Sequence, residues 1–138
     1  MTTFTCRMTV RFRDLDALGH VNYAVYLTYI EEGFTVLWRE VLGRLGTKFS
    51  PLEFGCVVVR TEVDYLRSAQ FGEELEVKAW VESVGSSSLT AAYEISRPTQ
   101  KIAEARTVQV VKVMDTTASH MPSDLKSVLR ALCGATCD

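Results

Sequence analysis

The sequence predicts an α+β fold in which a five-stranded antiparallel sheet wraps around one long buried helix. Two observations lead to this prediction. Residues 23–40 carry apolar side chains at helical spacing, and several later segments alternate apolar with polar residues. Alternation buries one face of each strand, which is typical of antiparallel rather than parallel sheets. A chain of 138 residues has room for a single core, so residues 1–138 are predicted to form one domain.

The first predicted elements are a strand at residues 4–12 and the long helix. Asn22 is a favourable N-cap, and the following residues up to Glu40 contain no proline. The helix is predicted to be exposed only along a narrow strip around Glu31, Glu32 and Thr35. It must therefore be covered over most of its circumference. Its apolar side chains recur about every 3.6 residues: Tyr26, Tyr29 or Ile30, Gly33 or Phe34, and Leu37.

Four apolar segments are predicted as the strands that cover the helix. Short separators rich in Ser and Gly suit antiparallel neighbours. A short helix after Pro122 closes the chain. An open sheet leaves two edges that invite pairing with another copy, so a homodimer or a dimer of dimers is expected. The segments are residues 56–66, 74–82, 88–96 and 102–114, and the first has a predicted inner face of Val57, Val59, Thr61, Val63 and Tyr65.

Composition excludes several classes of partner. The net charge is −2 and no run of Lys or Arg occurs, so no nucleic-acid partner is predicted. No apolar run approaches the roughly 18 residues of a membrane-spanning helix. The N-terminus lacks the apolar core of a signal peptide, and a cytoplasmic protein is expected. The closely spaced Cys133 and Cys137 have no second pair and no histidine nearby in sequence, so no metal site is predicted.

The segment RDLDALGHVNYAVY, at residues 13–26, places polar residues and a glycine directly before the helix. Gly19 lets the chain turn sharply, which returns Asp16 to the start of the helix. Amide N–H groups at that position lack intrahelical partners, and the helix dipole favours negative charge there. A thioester carbonyl placed in front would accept a hydrogen bond from the Tyr23 N–H. Asp16 would then attack its carbon or activate a water.

The segment DLDALGHVNYAVYLTYIEE resembles the hot-dog-fold thioesterases of the 4-hydroxybenzoyl-CoA thioesterase type. Their motif is an Asp, two spacers and a Gly leading into a central helix, and FGEELEV and VGSSSLTAAYEI are similar to their strand–turn pattern. The resemblance implies hydrolysis of acyl-CoA thioesters by dimers or higher assemblies, with coenzyme A as part of the substrate and no other cofactor. The family's catalytic aspartate falls on Asp16 and its carbonyl-polarising N–H on Tyr23. Some relatives carry a histidine or asparagine at the position of Tyr23.

Further residues are assigned supporting roles. Gly19, His20 and Asn22 are predicted to shape the loop, with the His20 ring bonding loop backbone. Asp14 is predicted to be solvated or turn-stabilising. In a dimer, the strand around residues 57–61 of a second copy is expected to line the acyl pocket. Possible substrate contacts are Tyr26, Val58, Val59, Ser87 and Ser88.

There are five alternatives to this interpretation, and the residues argue against the first two. A cystatin-type inhibitor has a similar element order, but the chain has no secretion signal. A hot-dog dehydratase uses an Asp and a His in a different motif, which GHVN at residues 19–22 does not match. A non-catalytic hot-dog domain would bind an acyl-CoA or a partner, and a related enzyme would cleave acyl-carrier-protein thioesters. In another hot-dog lineage a glutamate on the central helix is catalytic, which makes Glu31 the alternative carboxylate.

Overall fold

The computed structural model describes residues 1–46, 54–113 and 121–134. Within these ranges the strands form one sheet in the order β1-β3-β4-β5-β2, and all neighbours are antiparallel. The predicted fold class is therefore confirmed, with α1 packed against the sheet. In chain order the elements are β1 (Thr3–Thr9), a short 3₁₀ turn (Phe12–Asp14), α1 (Val25–Arg44), β2 (Phe54–Tyr65), β3 (Glu74–Val84), β4 (Ser88–Arg97), β5 (Gln100–Val113) and α2 (Ser123–Cys133).

Helix α1 buries one face against β1 and β3. Gly33 lies closest to the sheet, because a Cβ at this position would come within 2.7 Å of Val77 Cγ1. The exposed strip is wider than predicted, since Leu27 is 47% exposed. The side of the helix that faces β2 is thus open in the single chain. The buried face agrees with the predicted spacing and consists of Tyr26, Tyr29, Ile30, Gly33, Leu37 and Val41.

The predicted start of α1 was wrong by two residues. The α-helix begins at Val25, after Ala24. The Asn22 side chain still makes a cap-like hydrogen bond, its Oδ1 accepting from the Ala24 N–H at 3.0 Å, but it does so in a turn ahead of the helix. The Val25 N–H donates to the Asn22 carbonyl at 2.9 Å, and Ala24 takes the cap position. Tyr23 therefore lies in a turn between the motif loop and the helix. At the other end the helix continues through Arg44, since Val41 extends the buried stripe.

Strand β2 contains a β-bulge that changes which valines face inward. The register with β5 shifts between Val58 and Arg60, so Val59 is the extra residue. Val58 pairs with the buried Gln109, and after the bulge Thr61 pairs with the buried Thr107. The predicted inner face was therefore wrong at Val57 and Val59: Val58 occupies the inward position, Val57 is on the opposite face, and Val59 is the unpaired, exposed residue of the bulge. Beyond the bulge, Thr61, Val63 and Tyr65 pair with buried residues of β5, as predicted.

The amphipathic helix α2 closes the far end of the sheet. It packs mainly against β3. Its capping region is tied to the turn between β3 and β4, where the Met121 N–H donates to the Ser86 carbonyl at 3.0 Å. None of the helices in the described ranges has the length and apolar content needed to cross a bilayer. The buried side of α2 is formed by Leu125, Leu129, Leu132 and Cys133.

Candidate active site

The polar motif forms a small hairpin between β1 and α1. At its base the Asn22 N–H donates to the Asp14 carbonyl at 3.0 Å, and two residues further the Asp16 N–H donates to the His20 carbonyl at 3.0 Å. The tip is a tight turn in which the Gly19 N–H donates to the Asp16 carbonyl. Gly19 has φ +81°, a backbone conformation that glycine adopts at little cost. The hairpin thus presents Asp16 at its tip and leads directly into Tyr23.

The hairpin is held against the segment that connects β2 to β3. The Val21 N–H donates to the Ala69 carbonyl at 2.9 Å, and His20 forms an isolated antiparallel bridge with Gln70. The His20 ring nitrogen Nδ1 lies 3.2 Å from its neighbour's carbonyl, at Val21. The position of the hairpin therefore depends on contacts far away in sequence as well as on its own turn.

Asp14 is the buried anchor of the hairpin, with only 2% of its surface exposed. Its carboxylate accepts hydrogen bonds from the Tyr29 hydroxyl on α1 at 2.8 Å and from the Arg11 backbone N–H at 3.0 Å. The Arg11 guanidinium adds an ion pair at 3.0 Å. The solvated alternative predicted for Asp14 is wrong, whereas its turn-stabilising alternative agrees with these contacts.

These contacts shift the acidity of both buried partners. Burial raises the pKa of the Asp14 carboxyl, but the hydrogen bonds from Arg11 and Tyr29 outweigh it, so the pKa lies below its ordinary value. Burial, and then the hydrogen bond to the Asp14 carboxylate, raise the pKa of the Tyr29 hydroxyl. Asp14 is therefore ionised and Tyr29 neutral over the pH range in which the protein would work, and the anchor keeps its charge.

The backbone N–H groups between the hairpin and α1 all donate hydrogen bonds to protein acceptors, with one exception. Val21 donates to Ala69, Asn22 to the Asp14 carbonyl, Ala24 to the Asn22 side chain and Val25 to the Asn22 carbonyl. Among the described residues, the Tyr23 N–H donates to no protein acceptor. In a trans peptide the N–H points opposite to the carbonyl. Because the Asn22 carbonyl points towards α1, the Tyr23 N–H points away from the helix.

The Asp16 side chain also has a free acceptor. Its Oδ1 accepts a hydrogen bond from the Leu18 N–H at 2.9 Å, a local turn that fixes the carboxylate at the hairpin tip. The second oxygen, Oδ2, accepts no hydrogen bond from the described part of the chain. One carboxylate oxygen is thus held in place, and the other is available to a water or a bound carbonyl carbon.

Asp16 and Tyr23 line the same open cleft, which has a volume of about 360 Å³. Of the predicted site residues, His20 and Tyr26 also line it, whereas Gly19 and Asn22 shape the loop behind it. The Tyr26 ring is buried, and its hydroxyl accepts a hydrogen bond from the Ala69 N–H at 3.1 Å. The cleft also contains residues that the sequence did not suggest as site residues: Leu18, Val21, Tyr65, Leu66, Arg67 and Ser68.

The other predicted substrate contacts lie away from this cleft. Val58 lines a separate groove of about 350 Å³ between α1 and β2, together with Leu27 and Phe34. Val59 is the unpaired residue of the bulge and is 60% exposed. Ser87 and Ser88 follow the end of β3, about 30 Å of strand from the end that adjoins the hairpin. In the single chain neither serine is brought to Asp16.

Candidate metal ligands are scarce in the described ranges. No group of three or more His, Cys, Asp or Glu residues there is arranged to hold a metal ion. Cys133 is buried at the end of α2, and Cys137 lies outside the described residues. The residues that line the cleft supply a carboxylate, an imidazole, hydroxyl groups and a guanidinium, beside the Tyr23 backbone N–H.

Comparison with known proteins connects this geometry to a family. The model of the thioesterase superfamily matches residues 18–104, beginning two residues after Asp16. A thioesterase from Thermus thermophilus, solved with coenzyme A and zinc, is 34% identical, with a TM-score of 0.76 over 95% of this chain and 94% of that one. A predicted thioesterase from Bacillus stearothermophilus is 28% identical, with a TM-score of 0.81 over 95% and 96% of the two chains. A 1,4-dihydroxy-2-naphthoyl-CoA hydrolase from Synechococcus elongatus is 27% identical over 80% of this chain and 82% of its own.

Proposed function

This chain belongs to the thioesterase superfamily, and from that membership we propose that it hydrolyses an acyl-CoA thioester to a free acid and coenzyme A. The observation that carries the proposal is the pairing, in one cleft, of the Asp16 carboxylate with the unoccupied Tyr23 N–H. A relative named as a 1,4-dihydroxy-2-naphthoyl-CoA hydrolase and another solved with coenzyme A support a CoA thioester as the substrate. The motif at residues 14–32 supports the finer assignment to the 4-hydroxybenzoyl-CoA thioesterase type.

The proposed reaction begins with the thioester carbonyl oxygen facing the Tyr23 N–H. As the carbon is attacked, its oxygen becomes anionic and the hydrogen bond from Tyr23 strengthens. One such donor typically contributes a factor of about 10²–10³ in rate. The donor costs no reorganisation during the reaction, because the peptide is already held by the surrounding turn. Tyr23 therefore contributes through its backbone, and its exposed side chain need not react.

Asp16 is proposed to act either as general base or as nucleophile. As a base, Oδ2 takes a proton from a water whose oxygen attacks the carbonyl carbon; the C–S bond then breaks, and the thiolate of coenzyme A leaves and is protonated. As a nucleophile, Oδ2 attacks the carbon directly and displaces the thiolate, and water then hydrolyses the resulting anhydride. Both routes yield the same acid and thiol. A positioned base contributes about 10²–10⁴ in rate.

The surroundings of the cleft suit a substrate that is apolar at one end and anionic at the other. Leu66 and the Tyr26 ring supply apolar surface, and Arg67 places a guanidinium at the same cleft. Guanidinium groups bind phosphate in a bidentate manner, which suits the phosphates of coenzyme A. The separate groove lined by Leu27, Phe34 and Val58 lies between α1 and β2 and offers apolar surface to an acyl group.

Thioester hydrolysis by the purified protein tests this proposal. We expect turnover of at least one member of a panel of short, long and hydroxylated aromatic acyl-CoAs, with the free acid followed by mass spectrometry. Mass spectrometry is preferred because the free cysteines Cys6 and Cys56 would react with a thiol-trapping dye. The matching acyl-carrier-protein thioesters form a second arm. Turnover of the carrier-protein thioesters alone would mean that the substrate is an acyl-carrier protein rather than an acyl-CoA. No turnover of either class of thioester would contradict the proposal.

We further propose that the functional unit is a homodimer, or a dimer of dimers, built on β2. This strand lies at an edge of the sheet, is 12 residues long and exposes Val57, Val58 and Val59. A long apolar edge strand invites pairing with another strand. We expect light scattering to give at least twice the 15.4 kDa of the chain. Val58→Lys should lower that mass towards a single chain, and a wild-type monomer at micromolar concentration would contradict the proposal.

A further inference from the structure

A tyrosine at the end of β2 reaches the turn that carries the proposed oxyanion donor. The Tyr65 hydroxyl donates a hydrogen bond to the Tyr23 carbonyl at 2.9 Å, across 42 positions of sequence. Tyr65 also lines the cleft that contains Asp16. In the part of the chain that the structure describes, this is the only side-chain hydrogen bond from the sheet to the turn at residues 22–24. Tyr65 therefore links the sheet directly to the Tyr23–Ala24 peptide, which follows the Tyr23 N–H proposed as the oxyanion donor.

The ring of Tyr65 is itself fixed by a buried neighbour. It packs edge to face on Tyr26, with ring centroids 5.2 Å apart and an interplanar angle of 78°. Tyr26 is buried on α1 and is held by the Ala69 N–H. The position of the Tyr65 hydroxyl is thus set by β2 and by α1 together. A hydroxyl held in this way can restrict the motion of the carbonyl to which it is bonded.

The Tyr65 hydroxyl adds to the hydrogen bonds within the turn a restraint that the Tyr23 side chain does not provide. That side chain is 70% exposed, so it does not anchor the residue by packing. The peptide between Tyr23 and Ala24 is held at both ends, its carbonyl by Tyr65 and its N–H by the Asn22 side chain. If the carbonyl were released, rotation about the bonds on either side of the Tyr23 Cα would change the direction of the preceding N–H. That N–H is the proposed donor to the thioester oxygen.

We propose that Tyr65 is a positioning residue for thioester hydrolysis. Its hydroxyl holds the Tyr23–Ala24 peptide, so that the preceding Tyr23 N–H faces the substrate carbonyl. This inference rests on the proposed function. Tyr65 acts through the backbone of Tyr23 and exchanges no proton with the substrate. Its effect falls on the transition state, in which the carbonyl oxygen is anionic, more than on substrate binding.

The test is Tyr65→Phe, which removes the hydroxyl and keeps the ring that packs on Tyr26. Loss of one neutral hydrogen bond corresponds to roughly a three- to tenfold effect. We expect kcat to fall by about this factor while KM stays within about twofold. Nitrogen-15 NMR should show the Tyr23 and Ala24 amide signals shifted in the variant, with the signals of β3 and β4 unchanged.

Thr9→Val is the control for the loss of one side-chain hydroxyl. It removes a hydroxyl that donates a hydrogen bond to Glu74 Oε1 at 2.7 Å, and it lies in β1, outside both the Asp16 cleft and the groove proposed for the acyl group. Its kcat should remain at the wild-type value. An unchanged kcat in Tyr65→Phe, or an equal loss in both variants, would overturn the positioning role. A wild-type protein that hydrolyses no thioester would instead overturn the proposed function, and the amide shifts would still report whether Tyr65 restrains the turn.

Discussion

Asp16→Asn is expected to reduce kcat/KM for thioester hydrolysis by about 10²–10⁴, the range contributed by a positioned general base. The variant keeps the shape of the side chain, and its amide oxygen can still accept the Leu18 N–H, so the hairpin turn is preserved. What it loses is the negative charge and basicity of Oδ2. Steady-state kinetics with the preferred acyl-CoA measure the loss, and circular dichroism checks that the variant is folded.

Glu31→Gln is the informative control for this experiment. Glu31 is an exposed carboxylate on α1 that lines the neighbouring groove with Leu27 and Phe34, outside the Asp16 cleft. It lies on α1, the central helix, which carries the catalytic glutamate in the alternative hot-dog lineage considered from the sequence. We expect kcat in this variant to stay at the wild-type value, and any change to fall on KM, because Glu31 borders the groove proposed for the acyl group. Loss of turnover in Glu31→Gln with retention in Asp16→Asn would move the reaction to the helix and contradict the role given to Asp16.

The periodic parts of the fold could be predicted from the sequence because their spacing is a local property. The alternation of apolar and polar residues predicted that β3 and β4 each bury one face, and in the structure Leu75, Val77, Tyr93 and Ile95 are buried on these strands. The 3.6-residue spacing identified the buried face of α1. Each pattern needs only one element with one face covered, so no knowledge of the partner element is required.

The features that were predicted wrongly or missed depend on contacts between distant segments of the chain. The bulge at Val59 reverses the alternation of inward and outward side chains halfway along β2. It could not be predicted from the sequence, because the three consecutive valines at residues 57–59 give no sign of which one is the extra residue. The first turn of α1 was placed too early because the Asn22 side chain serves either as a helix cap or in a preceding turn. The sequence placed Tyr65 on an inner face, but only the sheet order brings the end of β2 beside the Tyr23 turn.

Asp14 illustrates the same limit at the candidate site. Two aspartates separated by one residue look equivalent in the sequence, yet one is buried and the other lines the cleft. The difference arises from Tyr29, which is one helical turn beyond the start of α1 and donates its hydroxyl to Asp14. This division of roles suggests that Asp16 provides the chemistry whereas Asp14 holds the loop that carries it.

Asp14→Asn is accordingly expected to lower the free energy of unfolding by about 2 kcal/mol at pH 7, since hydrogen bonds to a charged group contribute about 1.5–3 kcal/mol each. The amide can still accept one hydrogen bond, but its NH₂ group would face donors from Arg11 or Tyr29. Urea denaturation at a fixed protein concentration measures the change, because any dimer would make stability concentration-dependent. Asp64→Asn, an exposed position on β2, is the control and should change stability by less than about 0.5 kcal/mol.

The pH dependence separates the loss of this charge from a general packing defect. The folded-state pKa of Asp14 lies below its unfolded value of about 3.9, so its charged form stabilises the fold fully above that pH. As the pH falls through the folded-state pKa, the carboxylate is protonated in both states and this stabilisation is lost. The difference between wild type and Asp14→Asn should therefore stay constant from pH 7 to about pH 5 and narrow as the pH falls below about 4. A difference that stays constant below about pH 4 as well would show that the charge of Asp14 does not stabilise the hairpin.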